Sequence, residues 1–361
     1  MNPVSHWLMI LTLSALCFGG PTGCSPASSS ESESAAVRDR TLRLVSLQNT
    51  TTPIFGESIV WLSESVEAMS NGGLKLKVFD PDKLVGATGV LDAVASGKVD
   101  AGYSSSGFWM GKMPAAPLFS AVPFGPDPVE YLSWFYHGNG LALYQEMYDR
   151  AGFDVKVLVC AITPPETSGW FTQKIESPED LSGLKMRFFG LGGEVMAKFG
   201  VAVRLLPPAE IYPALEKGVI DATEFAMPSA DESFGFYKIA KYNYFPGWHQ
   251  QATTYELLIN REVWDSLAPS QQAMIENAAR ANIVKSIAVG EGSQGAAMLR
   301  NEERGVSQET WSPAMLEAYR QAWAQVVAER SEQDAFFKKV WDDLSAFRAE
   351  YGRWSSKAHL D

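Results

Sequence analysis

The 361-residue chain is poor in the residues that covalent and redox chemistry need. It has three cysteines and four histidines, and no two histidines stand near each other or at metal-ligand spacing. Gly-x-Ser-x-Gly, Cys-x-x-Cys, His-Glu-x-x-His and phosphate-loop patterns are absent, so the usual frames for hydrolysis, thiol exchange, zinc catalysis and nucleotide binding have no anchor. Gly190-x-Gly192-Gly193 is a glycine cluster without a dinucleotide fingerprint. Positive charge is also scarce. Thirty Lys and Arg against 42 Asp and Glu leave a net charge of -12, which excludes the basic stripe that a nucleic acid requires. Such an acidic balance reads as a self-repelling, solvated surface.

Apolar runs are short. The longest near the N-terminus, residues 7–18, is too short to span a bilayer and has the size of a signal-peptide core. Pro21-Thr22-Gly23-Cys24 follows, and a small residue before Cys resembles the lipobox of bacterial lipoproteins. Residues 1–23 are therefore expected to leave as a signal peptide, with Cys24 lipidated as the new N-terminus; plain secretion is the alternative. Residues 24–40 are rich in Ser, Ala and Glu without apolar periodicity, so they read as a flexible tether. Cys17 departs with the signal and Cys24 takes the lipid, which leaves Cys160 alone in the apolar run 155–162, a buried small hydrophobe with no disulfide partner.

The remaining length suits two domains of about 150 residues. One phrase occurs twice. Val90-Leu91-Asp92-Ala93-Val94-Ala95-Ser96-Gly97-Lys98-Val99-Asp100-Ala101 reads helix, glycine stop, strand, and Ala214-Leu215-Glu216-Lys217-Gly218-Val219-Ile220-Asp221-Ala222 repeats that grammar. A unit written twice predicts two similar α/β lobes. Apolar residues at Ile59, Leu62, Val66 and Met69 predict a helix over 55–70, and alternation at Leu74, Leu76 and Val78 predicts a strand. The order of elements up to Tyr103 is that of a parallel sheet. A single aromatic helix is expected over 128–150, a strand-like aromatic segment over 237–248, and helices over 269–303, 313–327 and 334–350. The breaker-rich loop 163–169 is a candidate hinge. The expected division is lobe I at 41–163, lobe II at 164–253, and a return strand with C-terminal helices over 254–361.

Candidate site residues sit at strand ends, where open α/β sheets bind ligands. Tyr103, Ser106, Phe108 and Trp109 follow a strand directly, as pocket walls or as an ordinary helix cap. Arg187 also ends a strand, either as a fork for a ligand carboxylate or as a surface ion pair. Glu224 follows the Val219-Ile220 strand and Glu166 sits in the candidate hinge. If both face the cleft they need a cation, because two unpaired buried carboxylates are costly. Hard oxygen ligands would suit such an ion.

Several stretches together resemble the solute-binding subunit of tripartite ATP-independent periplasmic (TRAP) transporters, in the branch that takes 2-oxo and 2-hydroxy acids. They are Val122-Pro123-Phe124-Gly125, Gly169-Trp170-Phe171, Asp180-Leu181-x-Gly183-Leu184-Lys185-Met186-Arg187, Val195-Met196-x-Lys198-x-Gly200-Val201, the run from Ile211 to Glu224, Gly235-Phe236-Tyr237-Lys238 and Pro246-Gly247-Trp248. They keep the family's order over most of residues 42–354. The resemblance implies a two-lobed periplasmic-binding-protein (Venus flytrap) fold with C-terminal helices, binding a small organic acid for membrane permease subunits, not an enzyme. It implies that Arg187 binds the ligand carboxylate, and that Glu224 and the backbone of Phe225 hold a metal ion bridging to the ligand. This sequence departs from the family at two of these places, with Glu166 where a Gln is usual and Phe225 where a Trp is usual. The extra charge of Glu166 favours Ca²⁺ over Na⁺. Gln250 is a further metal candidate, and Tyr212 and Trp248 further pocket aromatics. Family members often carry an added dimerising helix; the chain stopping at Asp361 suggests a monomer. A ligand sensor of the same fold, or an enzyme on the same acid, are the alternative readings.

Overall fold

The computed structural model describes residues 38–358. The signal segment 1–23, Cys24 and the tether up to residue 37 lie outside the described residues. Two mixed sheets organise the chain. The first receives β1 (Arg40–Ser46), β2 (Leu74–Phe79), β3 (Ala101–Ser104) and β4 (Val155–Thr163); the second receives β5 (Gly169–Phe171), β6 (Lys185–Arg187), β7 (Ala202–Arg204), β8 (Ala222–Thr223) and β9 (Tyr242–Phe245). Then β10 (Thr253–Asn260) returns to the first sheet, and β11 (Ser307–Thr310) goes back to the second. The orders are β2-β1-β3-β10-β4 and β11-β9-β5-β8-β6-β7.

The repeated phrase falls once in each sheet, as β3 and β8. Its conserved grammar has a local cause. Gly97 and Gly218 stop their helices at φ +71 and +66, where a side chain would be strained. The Asp that follows then fixes the neighbouring strand by a two-way clasp. Asp100 N donates to Arg43 O at 3.1 Å while its carboxylate accepts from Arg43 N at 2.7 Å. Asp221 N donates to Lys185 O at 2.7 Å while its carboxylate accepts from Lys185 N at 3.0 Å. In each lobe the clasp sets the register of the strand that leads toward the cleft.

The parallel sheet expected for the first lobe holds for β1, β2 and β3, but β10 enters antiparallel between β3 and β4. The β10–β4 register shifts at Tyr255/Glu256, so Cys160 bulges from the ladder. Its carbonyl accepts instead from Asn282 Nδ2 at 2.7 Å, and its thiol is fully buried. Glu256, at that bulge, carries a buried carboxylate with four donors: Ser104 Oγ (2.8 Å), Trp109 Nε1 (2.9 Å), Tyr148 OH (2.7 Å) and Tyr144 OH (2.5 Å). Burial pushes its acid up and these hydrogen bonds pull it back.

Two short segments cross between the sheets side by side: 164–168 leads from β4 to β5, and 246–252 leads from β9 to β10. Glu166 N donates to Gln250 O at 3.1 Å and Ser168 Oγ to Pro246 O at 2.6 Å, which ties them together. The helix Pro269–Glu303, about 52 Å long, is a third connection. Asn282 bonds Ser58 of the first lobe at 2.7 Å, and Arg300 pairs with Glu232 of the second at 2.6 Å. The aromatic helix expected over 128–150 breaks at 137–139 into Pro128–Tyr136 and Gly140–Arg150. The expected strand at 237–248 shrinks to β9, bounded by the turn Phe236–Lys238 and by Pro246. The last helices, Pro313–Gln333 and Ala335–Ala358, bury Trp323 and Phe337, while Phe336, Trp341 and Phe347 pack half-buried beside them.

Candidate functional site

The two crossings place a carboxylate, an imidazole and an amide against the end of β6. Glu166, on the first crossing, accepts from Thr253 Oγ1 at 2.8 Å and Gln250 Nε2 at 3.1 Å through Oε1. Its Oε2 is buried without a partner. Glu224, just past β8, is held by Arg187 Nη1 at 2.7 Å and by Phe189 N at 2.5 Å, both on Oε1. Its Oε2 is likewise buried and unpartnered. His249, on the second crossing, puts Nε2 3.9 Å from Glu166 Oε2 and 3.8 Å from Glu224 Oε2. Neither nitrogen of His249 has a hydrogen-bond partner, and neither does Gln250 Oε1. One ligand atom from each of Glu166, Glu224 and His249 falls within 4.8 Å of the others.

Two carboxylates meet in one buried centre. Burial, and then the charge of Glu224, push the Glu166 acid well above the usual carboxylate range. The orphaned, converging oxygen and nitrogen atoms fit a bound cation, which would neutralise the pair and satisfy them together.

Arg187 is almost fully buried and supports this centre. Nη1 also donates to Glu224 O at 2.9 Å and Nε to Leu206 O at 3.3 Å. The Phe225 ring lies 5.5 Å from its guanidinium. Nη2 has no hydrogen bond among the described residues. The strand-end Arg is thus part of an ion pair, but a buried one facing the cleft.

A cavity of about 20 Å³ adjoins these groups. The first lobe lines it with Gln48, Ser105 and Phe108, and the second with Arg187, Phe189 and Phe225. Glu166, Gln250, Thr253 and Tyr255 complete it from the crossings and β10. A groove of about 800 Å³ beside Phe347 and Trp354 is larger, but it is open surface and holds no buried carboxylate pair.

Of the residues singled out in the sequence, Arg187, Glu166, Glu224, Phe225, Gln250 and Phe108 come together. Five others do not line the cavity. Tyr103 is buried in β3, stacked on Tyr255 with ring centroids 5.1 Å apart, one layer behind the wall. Ser106 Oγ donates to Ala116 O at 2.8 Å, so the hydroxyl secures its turn. Trp109 is held by Glu256. Trp248 stacks on Tyr319 at 4.5 Å in the core, and Tyr212 packs half-buried near Gly235. Strand-end position predicted exposure to the cleft for Tyr103, Ser106 and Trp109, and the resemblance predicted it for Tyr212 and Trp248; hydrogen-bond acceptors and rings elsewhere in the fold hold these side chains away from it. Ser105, within the serine run after β3, does line the cavity, whereas His249, Gln48, Phe189, Thr253 and Tyr255 escaped the sequence reading. A single His has no spacing signature, because its carboxylate partners arrive through tertiary structure; its place directly before Gln250 was the available sign.

Asp231 stands behind the site. Its Oδ2 accepts from Trp170 Nε1 at 2.7 Å, and its Oδ1 is buried without a partner. Burial raises its acid from 3.8 to about 8. A folded-state value above the unfolded one means that the native state holds the proton more tightly. The stability this proton contributes is complete below about pH 4 and lost as pH rises through about 8. Asp231→Asn, which keeps the acceptor for Trp170, is expected to flatten the decline of thermal stability between pH 5 and pH 9, by about 1–3 kcal/mol at the alkaline end. Equal slopes for the two proteins would refute this assignment.

Residues 45–334 match the family model described as bacterial extracellular solute-binding protein, family 7. The chain is 35% identical over 294 residues to the monocarboxylate 2-oxoacid-binding periplasmic protein of a Nostoc species (strain PCC 7120), covering 81% of this chain and 80% of that one. A TRAP periplasmic solute-binding protein from Pseudoalteromonas atlantica, with bound sodium and pyruvate, superposes with a TM-score of 0.85 at 32% identity, covering 89% of this chain and 97% of that one. Another from Colwellia psychrerythraea, with bound calcium and pyruvate, gives 0.85 at 31%, covering 89% and 98%. No helix among the described residues is long and apolar enough to cross a membrane. The chain belongs to the family 7 bacterial extracellular solute-binding proteins, as a TRAP-type receptor that works outside the cytoplasm and is not an enzyme.

Proposed function

We propose that this receptor captures a small 2-oxo or 2-hydroxy monocarboxylate together with a divalent cation and delivers it to TRAP membrane subunits. The observation that carries the reading is the pair of buried, unpartnered carboxylate oxygens on Glu166 and Glu224 beside the open Nη2 edge of Arg187. Arg187 takes the ligand carboxylate through Nη2. Glu166, Glu224, Gln250 and the Phe225 carbonyl hold the cation, and His249 stands against it. A bound cation supplies the positive charge that lets both carboxylates ionise and that attracts the acid's α-oxygen. Relatives with sodium and with calcium both carry pyruvate. In this chain the second carboxylate tips the balance to Ca²⁺: Arg187 contributes one positive charge, while Glu166, Glu224 and the ligand contribute three negative ones. Because the ligand touches both lobes, it stabilises the closed state by differential affinity. Cys24 is the proposed lipid attachment that keeps the receptor at the membrane.

Native mass spectrometry of protein purified without chelator tests this directly. The expected result is a mass increment of one calcium plus one small acid, both lost after dialysis against chelator and regained with Ca²⁺ and pyruvate. A protein that carries neither, and binds no 2-oxo acid by calorimetry with Ca²⁺ present, would overturn the reading.

A further inference from the structure

The apolar side of the cavity is closed by a contact between lobes that nothing in the carboxylate chemistry requires. Phe189 follows β6 and Phe108 lies in the short turn Ser106–Trp109 after β3. Their ring centroids are 4.7 Å apart, at an interplanar angle of 47°. Phe189 is buried by this contact, although it comes from the lobe opposite Phe108.

Gly107 makes the approach possible. A Cβ there would stand 2.3 Å from Phe189 Cζ and 2.9 Å from Cε1, inside van der Waals contact. The missing side chain is a notch that receives the ring. The turn bearing the notch is pinned: Ser106 Oγ donates to Ala116 O at 2.8 Å and Ser105 Oγ to Thr254 O at 3.0 Å. The ring is tied to the polar centre too, since Phe189 N donates to Glu224 Oε1. A group on Glu224 therefore positions the backbone that seats the ring. With the ring seated, the cavity keeps only about 20 Å³, where one water needs roughly 10–15 Å³.

We propose that Phe189, seated on Gly107, sets the upper size limit of the bound acid and latches the lobes over it. Acids with the shortest side chains displace the ring least when the cleft receives them; branched 2-oxo acids displace it most. The inference rests on the proposed site, with the acid held between Arg187 and Glu224. Specificity then comes from a steric barrier rather than from an added attraction.

The test compares calorimetric affinities for pyruvate, 2-oxobutyrate and 4-methyl-2-oxopentanoate, all with saturating Ca²⁺, in wild type, Phe189→Ala, Gly107→Ala and the double variant. Wild type is expected to prefer pyruvate. Phe189→Ala is expected to shift the ratio of affinities toward 4-methyl-2-oxopentanoate by at least about tenfold, the discrimination that a few methylenes supply. Gly107→Ala is expected to weaken all three acids about tenfold, and the double variant to return to the affinities of Phe189→Ala, because the added methyl then has no ring to strike. Rescue in the double variant separates a latch from a simple folding defect. An unchanged ratio in Phe189→Ala, or no rescue in the double variant, overturns the inference while leaving the site reading intact. Absence of wild-type binding to all three acids overturns both.

Discussion

Arg187→Ala protein is expected to bind pyruvate about a thousandfold more weakly than wild type, a loss of about 4 kcal/mol, at saturating Ca²⁺. The size follows from where the guanidinium lies. Arg187 and Glu224 are both buried, 2.7 Å apart, with side chains 2% and 1% exposed. Truncating one partner of such a pair leaves the other charge without compensation, which costs about 2–5 kcal/mol. The ligand also loses the Nη2 edge, and charge-assisted hydrogen bonds are about twice as strong as neutral ones. Arg187→Lys is expected to recover little. One ammonium cannot reach Glu224 Oε1, Glu224 O, Leu206 O and a ligand together, as the planar guanidinium does. Calorimetry measures the loss, and a melting curve shows whether Glu224 destabilises the unliganded fold. Binding within tenfold of wild type would remove Arg187 from the site.

Exchanging the charge at residue 166 is expected to exchange the cation. Glu166→Gln lowers the negative charge of the liganded site by one, so that a monovalent ion balances it. The wild type should bind pyruvate at least about a hundredfold more tightly with Ca²⁺ than with Na⁺ after chelation. In Glu166→Gln that ratio should fall at least tenfold, since one charge pair removed from a buried site is worth more than 1.4 kcal/mol. The amide can be accommodated. The Thr253 hydroxyl, which donates to Glu166 Oε1 at 2.8 Å, can turn to accept from a Gln amide instead. Titrations with each ion, in chelator-treated protein at constant ionic strength, measure the ratio. The same ratio in both proteins would mean that Glu166 does not set the choice of ion.

How much of this was legible in the sequence depends on how local each feature is. The helix Phe55–Met69 follows from Ile59, Leu62 and Val66, which are buried at the spacing that announced them. The repeated Asp-Ala phrase works within a few residues and one neighbouring strand, so two lobes could be read from it. Arg187 and Glu224 were visible as charged residues at strand ends. The partners of β10 were not visible, because the alternation of Leu257 and Ile259 gives a strand but no neighbour. Trp109 shows the same limit. Beside three serines and Phe108 it reads as a pocket wall, yet Glu256, 147 residues later, draws its indole into the interior. Phe189 escaped notice because its meaning lies in Gly107, on the other lobe.

Strand β10 has a further consequence, in biogenesis. It is the strand between β3 and β4, and it arrives after β5 to β9 have been made. A nascent chain of about 200 residues therefore carries an incomplete first sheet with two raw edges. Neither lobe exists as one continuous stretch of polypeptide. Because the first sheet cannot close until β10 has been made, the N-terminal half of the chain cannot mature as a lobe by itself. The same wiring means that a cut at 164–168 or 246–252 breaks one of the few covalent connections between the two sheets.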